Sequence, residues 1–287
     1  MKHKPVTVQD LVDDATVRIA AALRLEKRDA RLDARVLAAH VLSVDAAWLI
    51  AHDTDTPSEA LVSTFERVLS SRLEGVPIAY LVGAREFYGR RFEVSPDVLI
   101  PRPATERLVE LALARIPADQ PVDVLDLGTG SGCIAITLAL ERPLAHVTAL
   151  DRAPSALTTA QRNAENHHVR AEFLASNWFT AVSERRFDLI VSNPPYIRAT
   201  DPHLARGDLR FEPAAALAAG DDGLSDLRQL ASGAAAHLKP GGVLLLEHGY
   251  DQGEPVRNLL RMNGFPHPAT WTDLGGIERV SGGQVSE

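Results

Sequence analysis

Two short runs of this sequence carry residue types that could do chemistry. In "DVLDLGTGSGCIAI", Gly128, Gly130 and Gly132 lie between an apolar strand-like run and an apolar helix-like run. Glycines at such a junction let the backbone turn sharply and come close to a ligand. The start of the helix beyond offers free N–H groups and positive potential to an anion. In "FDLIVSNPPYI", an apolar, β-branched run meets Asn193, Pro194, Pro195 and Tyr196. Each proline lacks a backbone donor and cannot sit in a central ladder, so the strand must end there and the loop beyond it is stiff.

The glycine spacing discriminates between ligands. A dinucleotide wants G-x-G-x-x-G. Here the third glycine comes one residue early, and Cys133 stands in the last place of that pattern. No G-K-[ST] follows, which argues against a nucleoside triphosphate loop. S-adenosylmethionine has no phosphate, but its methionine carboxylate suits a helix start. Its ribose wants an acidic partner one βαβ step later, and "HVTALD" ends there in Asp151. S-adenosylmethionine is therefore the expected ligand, with a dinucleotide, or a tight turn holding nothing, as the alternatives.

The elements that must position these residues follow from hydrophobic period. Residues 1–80 read as a small helical bundle: "TVQDLVDDATVRIAAAL" with Thr7 as N-cap, "RLDARVLAAHVLS", and "SEALVSTFERVLSSRLEG" from Ser58, closed by Gly75 and Pro77. From about 80 to 101, "YLVGAREFYGRRFEVSPDVLI" alternates around "YGR", which predicts a β-hairpin joining two domains. Pro103 and Glu106 suit the first turn of a helix in "PATERLVELALARI". Over 102–287, strands alternate with helices, which predicts βαβ units and a parallel sheet covered on both faces.

Composition bounds the function. The 287 residues carry a formal net charge of −8, 24% charged and 45% hydrophobic residues. That is ordinary globular composition and argues against a general nucleic-acid binder. The lone cysteine, Cys133, makes no intrachain disulfide and no cysteine-rich zinc site, and no metal is expected. The N-terminus turns polar at once and no run is long enough to span a bilayer. The expectation is a soluble cytoplasmic protein acting as a monomer, with no membrane and no direct nucleic-acid partner.

The glycine loop, Asp151 and Asn-Pro-Pro-Tyr together resemble S-adenosylmethionine-dependent methyltransferases that act on planar nitrogen. "LIPRPATE", "DLGTGSGCIAI", "SNWF", "VSNPPYI", "DPHL", "RFEP" and "LLLEHG" resemble one branch, the release factor glutamine methyltransferases. The resemblance spans nearly the whole chain. It implies an α/β, Rossmann-like catalytic domain, a hairpin linker and a helical N-terminal domain that helps bind a class 1 peptide chain release factor. It implies N5-methylation of the glutamine in that partner's Gly-Gly-Gln motif. The Asn193 side-chain oxygen and the Pro194 carbonyl would accept the two amide hydrogens. Tyr196 would pack on the planar amide, completing a catalytic set of Asn193, Pro194 and Tyr196, with Pro195 also at the substrate. The cofactor would be held by Gly128, Thr129, Gly130, Ser131, Gly132, Asp151, Trp178 and Asn193. Asn177 departs from the aspartate usual before that tryptophan, which puts one cofactor contact in doubt.

Other residues carry weaker signals. Glu247 and His248 end the last clear strand, where open α/β sheets gather ligands, but a structural role is the expected one. Arg102 and Glu106 could support the proline loop or the cofactor, or simply start a helix. Cys133 reads as a small core residue. Gly282-Gly283-Gln284 in the tail copies the motif that the family modifies, and coincidence is the expected explanation. Competing readings are a sister glutamine methyltransferase acting on a ribosomal protein, an adenine-N6 methyltransferase on nucleic acid, and a cofactor-binding protein that only grips a translation factor.

Overall fold

A computed structural model describes residues 6–286; the first five residues of the polar N-terminal stretch, and Glu287, lie outside the described residues. The chain divides into two compact units, Met1–Ala84 and Arg85–Glu287.

The first unit is built from α1 (Val8–Leu23), α2 (Lys27–Leu42), α3 (Ala46–Ala51), α4 (Glu59–Leu73) and α5 (Ile78–Val82). Thr7 caps α1 in a reciprocal box with Asp10, so two of the orphan amides at the helix start are satisfied. Ser58 caps α4 as its sequence suggested, and Asp45 caps α3. Ala15, Ile19, Ala34, Leu37, Phe65 and Leu69 are fully buried in a shared core, and the small alanines let neighbouring helices approach. Arg72 is buried beside them and ion-pairs with Asp33 at 2.9 Å, so its charge is not left bare. The helices α3 and α5 escaped sequence reading because six and five residues are too few to display a helical period. Tyr80, expected to open the hairpin, belongs to α5 instead.

The second unit opens with the hairpin, β1 (Ala84–Phe87) and β2 (Arg90–Glu93). Its two-residue turn places Tyr88 and Gly89 at φ 51° and 70°, the left-handed pair of a type I′ turn. A 3-10 turn at Pro103–Thr105 leads into α6 (Glu106–Leu113). The alternation that follows is β3 (Asp123–Leu127), α7 (Cys133–Glu141), β4 (His146–Asp151), α8 (Pro154–Asn166), β5 (Glu172–Ala175), β6 (Phe187–Ser192), α9 (Ser225–Ala234) and β7 (Leu238–Glu247). Then come α10 (Gly253–Met262), β8 (Ala269–Thr272) and β9 (Glu278–Gln284).

Seven of these strands make one sheet in the order β5-β4-β3-β6-β7-β9-β8. The first five are parallel, and β9 and β8 add antiparallel. The expected all-parallel sheet thus ends at β7. The reason is local: "ERVSGGQ" holds two glycines, which hide a strand from propensity. Apolar side chains cover both faces. Leu108, Ile134 and Leu138 pack with Phe87 and Phe92 of the hairpin in one cluster. Leu227, Leu230, Val256 and Leu260 pack in the other.

The tail glycines have a structural cause. Gly282 pairs with Leu245, and Gln284 pairs with Val243, in the antiparallel ladder. A Cβ on Gly282 would lie 2.3 Å from the Leu244 carbonyl oxygen, so only glycine fits that close approach. Gln284 Nε2 donates to the Gly241 carbonyl at 2.8 Å, which holds its amide at the sheet edge. The intact mass of the purified protein is therefore expected to stay unchanged on incubation with S-adenosylmethionine. A gain of one methyl group on Gln284 would contradict this assignment of the tail to the sheet.

Candidate active site

Strand register brings the two chemical runs together. Leu127 at the end of β3 pairs with Leu150 of β4 on one side and Ser192 of β6 on the other. Gly128, Asp151 and Asn193 therefore leave the sheet side by side at its carboxyl edge. The chain runs from β3 outward to β4 and β5, then returns to place β6 on the other side. The gap between β3 and β6 is thus the topological switch point, where open α/β sheets bind ligands. Ser192 in turn pairs with Leu246 of β7, so Glu247 stands next to Asn193.

A pocket of about 990 Å³ opens there. Gly128 to Ser131, Asp151, Trp178 and Asn193 line it, with Asp97, Pro101 and Thr105 from the segment between the hairpin and α6. A smaller pocket of about 340 Å³ adjoins the proline loop and is lined by Asn193, Pro194, Tyr196, Leu99, Arg102 and Leu217. Asn193 lines both. The predicted residues are thereby all brought to this edge, Gly132 behind the wall and the rest in it.

The glycine loop is held from below. Gly128 and Thr129 donate their amides to the Leu150 carbonyl at 2.8 and 2.9 Å. Gly132 takes φ 80°, and a Cβ there would sit 2.9 Å from the Ile136 side chain and 3.1 Å from Ala160. Glycine is therefore required for α7 to start where it does. Asp151 accepts from the Gly130 amide on Oδ2 and the Ala153 amide on Oδ1, each at 2.9 Å. Each carboxylate oxygen keeps a second lone pair for a ligand hydroxyl. Trp178 has φ 50° and lays its ring edge over Gly128, 3.5 Å from where a Cβ would be. Ser176, buried and unremarked in the sequence, ties that turn together by donating to the Trp178 carbonyl at 2.7 Å and accepting from the Ala181 amide. Asn177 lines the pocket from an exposed position.

The proline loop is held from the sides. Asn193 Nδ2 donates to the Thr105 hydroxyl at 3.2 Å, while its buried Oδ1 has no hydrogen-bond partner. Tyr196 donates its hydroxyl to Glu247 Oε1 at 3.4 Å. Gln252 Nε2 donates to the Tyr196 carbonyl at 3.0 Å and to that of Gly223 at 3.2 Å. Thr105 lay inside the quoted run "LIPRPATE" without being singled out, and Gln252 lay in no quoted run. Both reach the proline loop because distant chain segments meet there, which sequence spacing cannot show. Arg102 ion-pairs with the buried Glu212, whose other oxygen accepts from the Ile100 amide at 3.0 Å. Glu106 accepts from the Tyr88 amide at 2.8 Å and so anchors the hairpin turn.

Burial sets the protonation of several groups. It pushes Cys133 up to about 12, so this thiol is a core residue and not a nucleophile. It pushes Asp126, whose Oδ2 accepts from Thr129 at 2.6 Å, up to about 7. His248 is held below its ordinary value by burial; its Nδ1 donates to the Gly249 carbonyl and its Nε2 accepts from Ser281, each at 2.8 Å. That is a neutral, structural histidine. Burial also raises Glu247 to about 7, against the opposing pull of the Thr105 hydroxyl and Arg279. A carboxyl raised in the folded state is a source of stability lost as pH climbs from its unfolded value to its folded one. Glu247→Gln should therefore raise the melting temperature relative to wild type more at pH 8 than at pH 5. Equal shifts at both pH values would contradict the burial of an ionising Glu247.

The donor set fits S-adenosylmethionine. The pocket offers open backbone at Gly130, a carboxylate at Asp151 with capacity left for a ribose, and an aromatic ring at Trp178. Asp97 and Asp151 outnumber Arg152 in its wall, which suits a cationic sulfonium. Fold and pocket together define an S-adenosylmethionine-dependent methyltransferase.

Comparison with known proteins narrows the class. Residues 105–216 match the methyltransferase small domain, and residues 16–83 match the PrmC N-terminal domain. The chain is 51% identical to the release factor glutamine methyltransferase of Bordetella pertussis, over 89% of this chain and 95% of that one. It is 45% identical to the Escherichia coli protein of the same description, over 88% and 92%. A methyltransferase structure from Pyrococcus furiosus superposes with a TM-score of 0.54 at 19% identity, covering 70% of this chain and 91% of that one, which reflects the shared fold. The chain belongs to the release factor glutamine methyltransferase family.

Proposed function

We propose that this protein transfers a methyl group to the side-chain amide nitrogen of the glutamine in the Gly-Gly-Gln motif of class 1 peptide chain release factors. The observation that carries this reading is Asn193 Oδ1, a buried acceptor without a partner on the wall shared by the two pockets. A buried acceptor left unpaired is costly, and a ligand N–H would satisfy it.

An amide nitrogen is a poor nucleophile because its lone pair is delocalised into the carbonyl. Asn193 Oδ1 and the Pro194 carbonyl accept the two amide hydrogens and turn the nitrogen toward the larger pocket. Proline at 194 and 195 removes competing donors from the loop. Tyr196, held by Glu247 and Gln252, flanks the planar amide and helps exclude water. When bound, S-adenosylmethionine supplies an electrophilic methyl group. Gly128 to Gly132 hold its amino-acid end, Asp151 its ribose, and Trp178 its adenine. The gain comes from orientation and fixed dipoles, with no covalent enzyme intermediate. No strong base is needed beforehand: as the N–C bond forms and the C–S bond breaks, S-adenosylhomocysteine leaves and the positive charge passes to the methylated amide, a cation acidic enough to lose its surplus proton to water.

In this reading residues 1–80 help grip the release factor, 81–101 join the parts and wall the pocket, and 102–287 carry the chemistry. The protein works in the cytoplasm, where its partner is. No described helix is long and apolar enough to cross a membrane. Parallel incubations with labelled cofactor and a class 1 release factor, total ribosomal protein, or DNA and RNA test the choice of substrate. Label in the release factor alone is expected. Label in ribosomal protein or nucleic acid, with none in the release factor, would overturn it.

A further inference from the structure

Residues 198–217 run from the proline loop back toward the sheet and wall both pockets. Their base is closed where the Ile197 amide donates to the Leu217 carbonyl at 2.9 Å and the Ala219 amide donates to the Ile197 carbonyl at 2.8 Å. Beyond that base lie three 3-10 turns, Pro202–Ala205, Gly207–Phe211 and Ala214–Ala216. None of the three buries a residue, so no core holds this strap down. A segment with so little burial opens locally at small cost. Yet Glu212, between the second and third turns, has a side chain that is 0% exposed. Its carboxylate crosses to the segment before α6. Oε2 accepts from the Ile100 amide at 3.0 Å, and Oε1 accepts from Arg102 Nη2. These two grips fall on either side of Pro101. Pro101 and Pro213 line the larger pocket, Arg102 and Leu217 the smaller, and Leu99 and Ala216 line both. One side chain thus fastens together two segments that wall both sites.

We infer that Glu212 is a positioning residue that fastens this strap across both pockets, so that cofactor in the larger pocket and the target glutamine in the smaller one strengthen each other's binding. A buried carboxylate is tolerable only while its partners are in place. The strap is therefore docked with both grips made, or released with Glu212 in water, because a half-made clamp leaves a bare buried charge. A second tie, from Arg152 Nη2 to the Ala215 carbonyl at 3.0 Å, lies at the solvent-exposed surface. Whichever ligand arrives first meets the cost of holding the strap docked, and the second finds its wall already in place. The glutamine half of this inference rests on the substrate reading above; the fastening itself does not.

Limited trypsin digestion of the full-length protein reads the fastening without any substrate. Arg206 and Arg210 are exposed on the strap, and Arg185 and Arg186 are exposed in the loop before β6, at the opposite edge of the sheet. S-adenosylhomocysteine should slow cleavage after Arg206 and Arg210 about tenfold and leave cleavage after Arg185 and Arg186 unchanged. In Glu212→Gln the new NH₂ would meet the Arg102 guanidinium or the Ile100 amide, donor against donor. Cleavage after Arg206 and Arg210 should then rise about tenfold, with or without the ligand. A variant that was merely less stable would be cut faster at all four sites. Affinity for a class 1 release factor, with and without S-adenosylhomocysteine, reads the coupling. It should be about tenfold tighter with the ligand in the wild type, and the ratio should fall close to one in Glu212→Gln. A wild-type strap that S-adenosylhomocysteine does not protect, or a wild-type affinity ratio of one, would overturn the inference even if the variant failed to fold. So would a variant that keeps both the protection and the wild-type ratio. Protection without any binding of release factor would uphold the fastening and overturn instead the substrate reading.

Discussion

Asn193→Ala is expected to lower kcat by roughly 10²–10³-fold, the usual cost of removing one polar group aimed at the reacting centre. Its Kd for S-adenosylmethionine should stay close to wild type. The asymmetry follows from geometry. Asn193 lines the pocket wall, but the glycine loop, the Asp151 carboxylate and the Trp178 ring follow other strands. What alanine removes is the unpartnered Oδ1, the acceptor proposed to turn the target amide. Isothermal titration with cofactor, beside single-turnover methylation, separates the two effects. Activity within a few-fold of wild type would show that Asn193 does not hold the reacting amide.

Asp151→Ala should act the other way, on binding first. Its carboxylate has two duties. It accepts from the Gly130 and Ala153 amides, which shapes the glycine loop, and its remaining lone pairs face the pocket. Loss of a charge-assisted hydrogen bond costs about 1.5–3 kcal/mol, which is roughly 10–100-fold in Kd. The loosened loop adds to this, so a value at the upper end is expected. At saturating cofactor, kcat should recover much of the wild-type value, because Asn193 and Pro194, proposed to hold the amide, are untouched. Normal cofactor affinity in this variant would move the ribose site elsewhere in the pocket.

Much of this site was legible in the sequence because its parts are local motifs. Three glycines and an aspartate one βαβ step later are set by backbone geometry, and two prolines announce a strand end. The structure places all of them along one sheet edge by simple register. What sequence could not show was the support beneath. Thr105 lies 88 positions from Asn193, and Gln252 lies 56 positions from Tyr196. Such partners are defined by folding alone. Glu247 was visible as a strand-ending acid, but its nearness to the proline loop comes from β7 pairing with β6. The same limit explains the fold. Long periodic helices such as α1 and α4 were readable, whereas α3, α5 and the glycine-bearing β9 carried too little period to see.

The most direct test of the central claim is methyl transfer from labelled S-adenosylmethionine to a purified class 1 release factor, run beside the same factor with Gln→Ala in its Gly-Gly-Gln motif. Label on the first and none on the second is the predicted result. Equal label on both, or none on either from an enzyme shown to bind its cofactor, would contradict it.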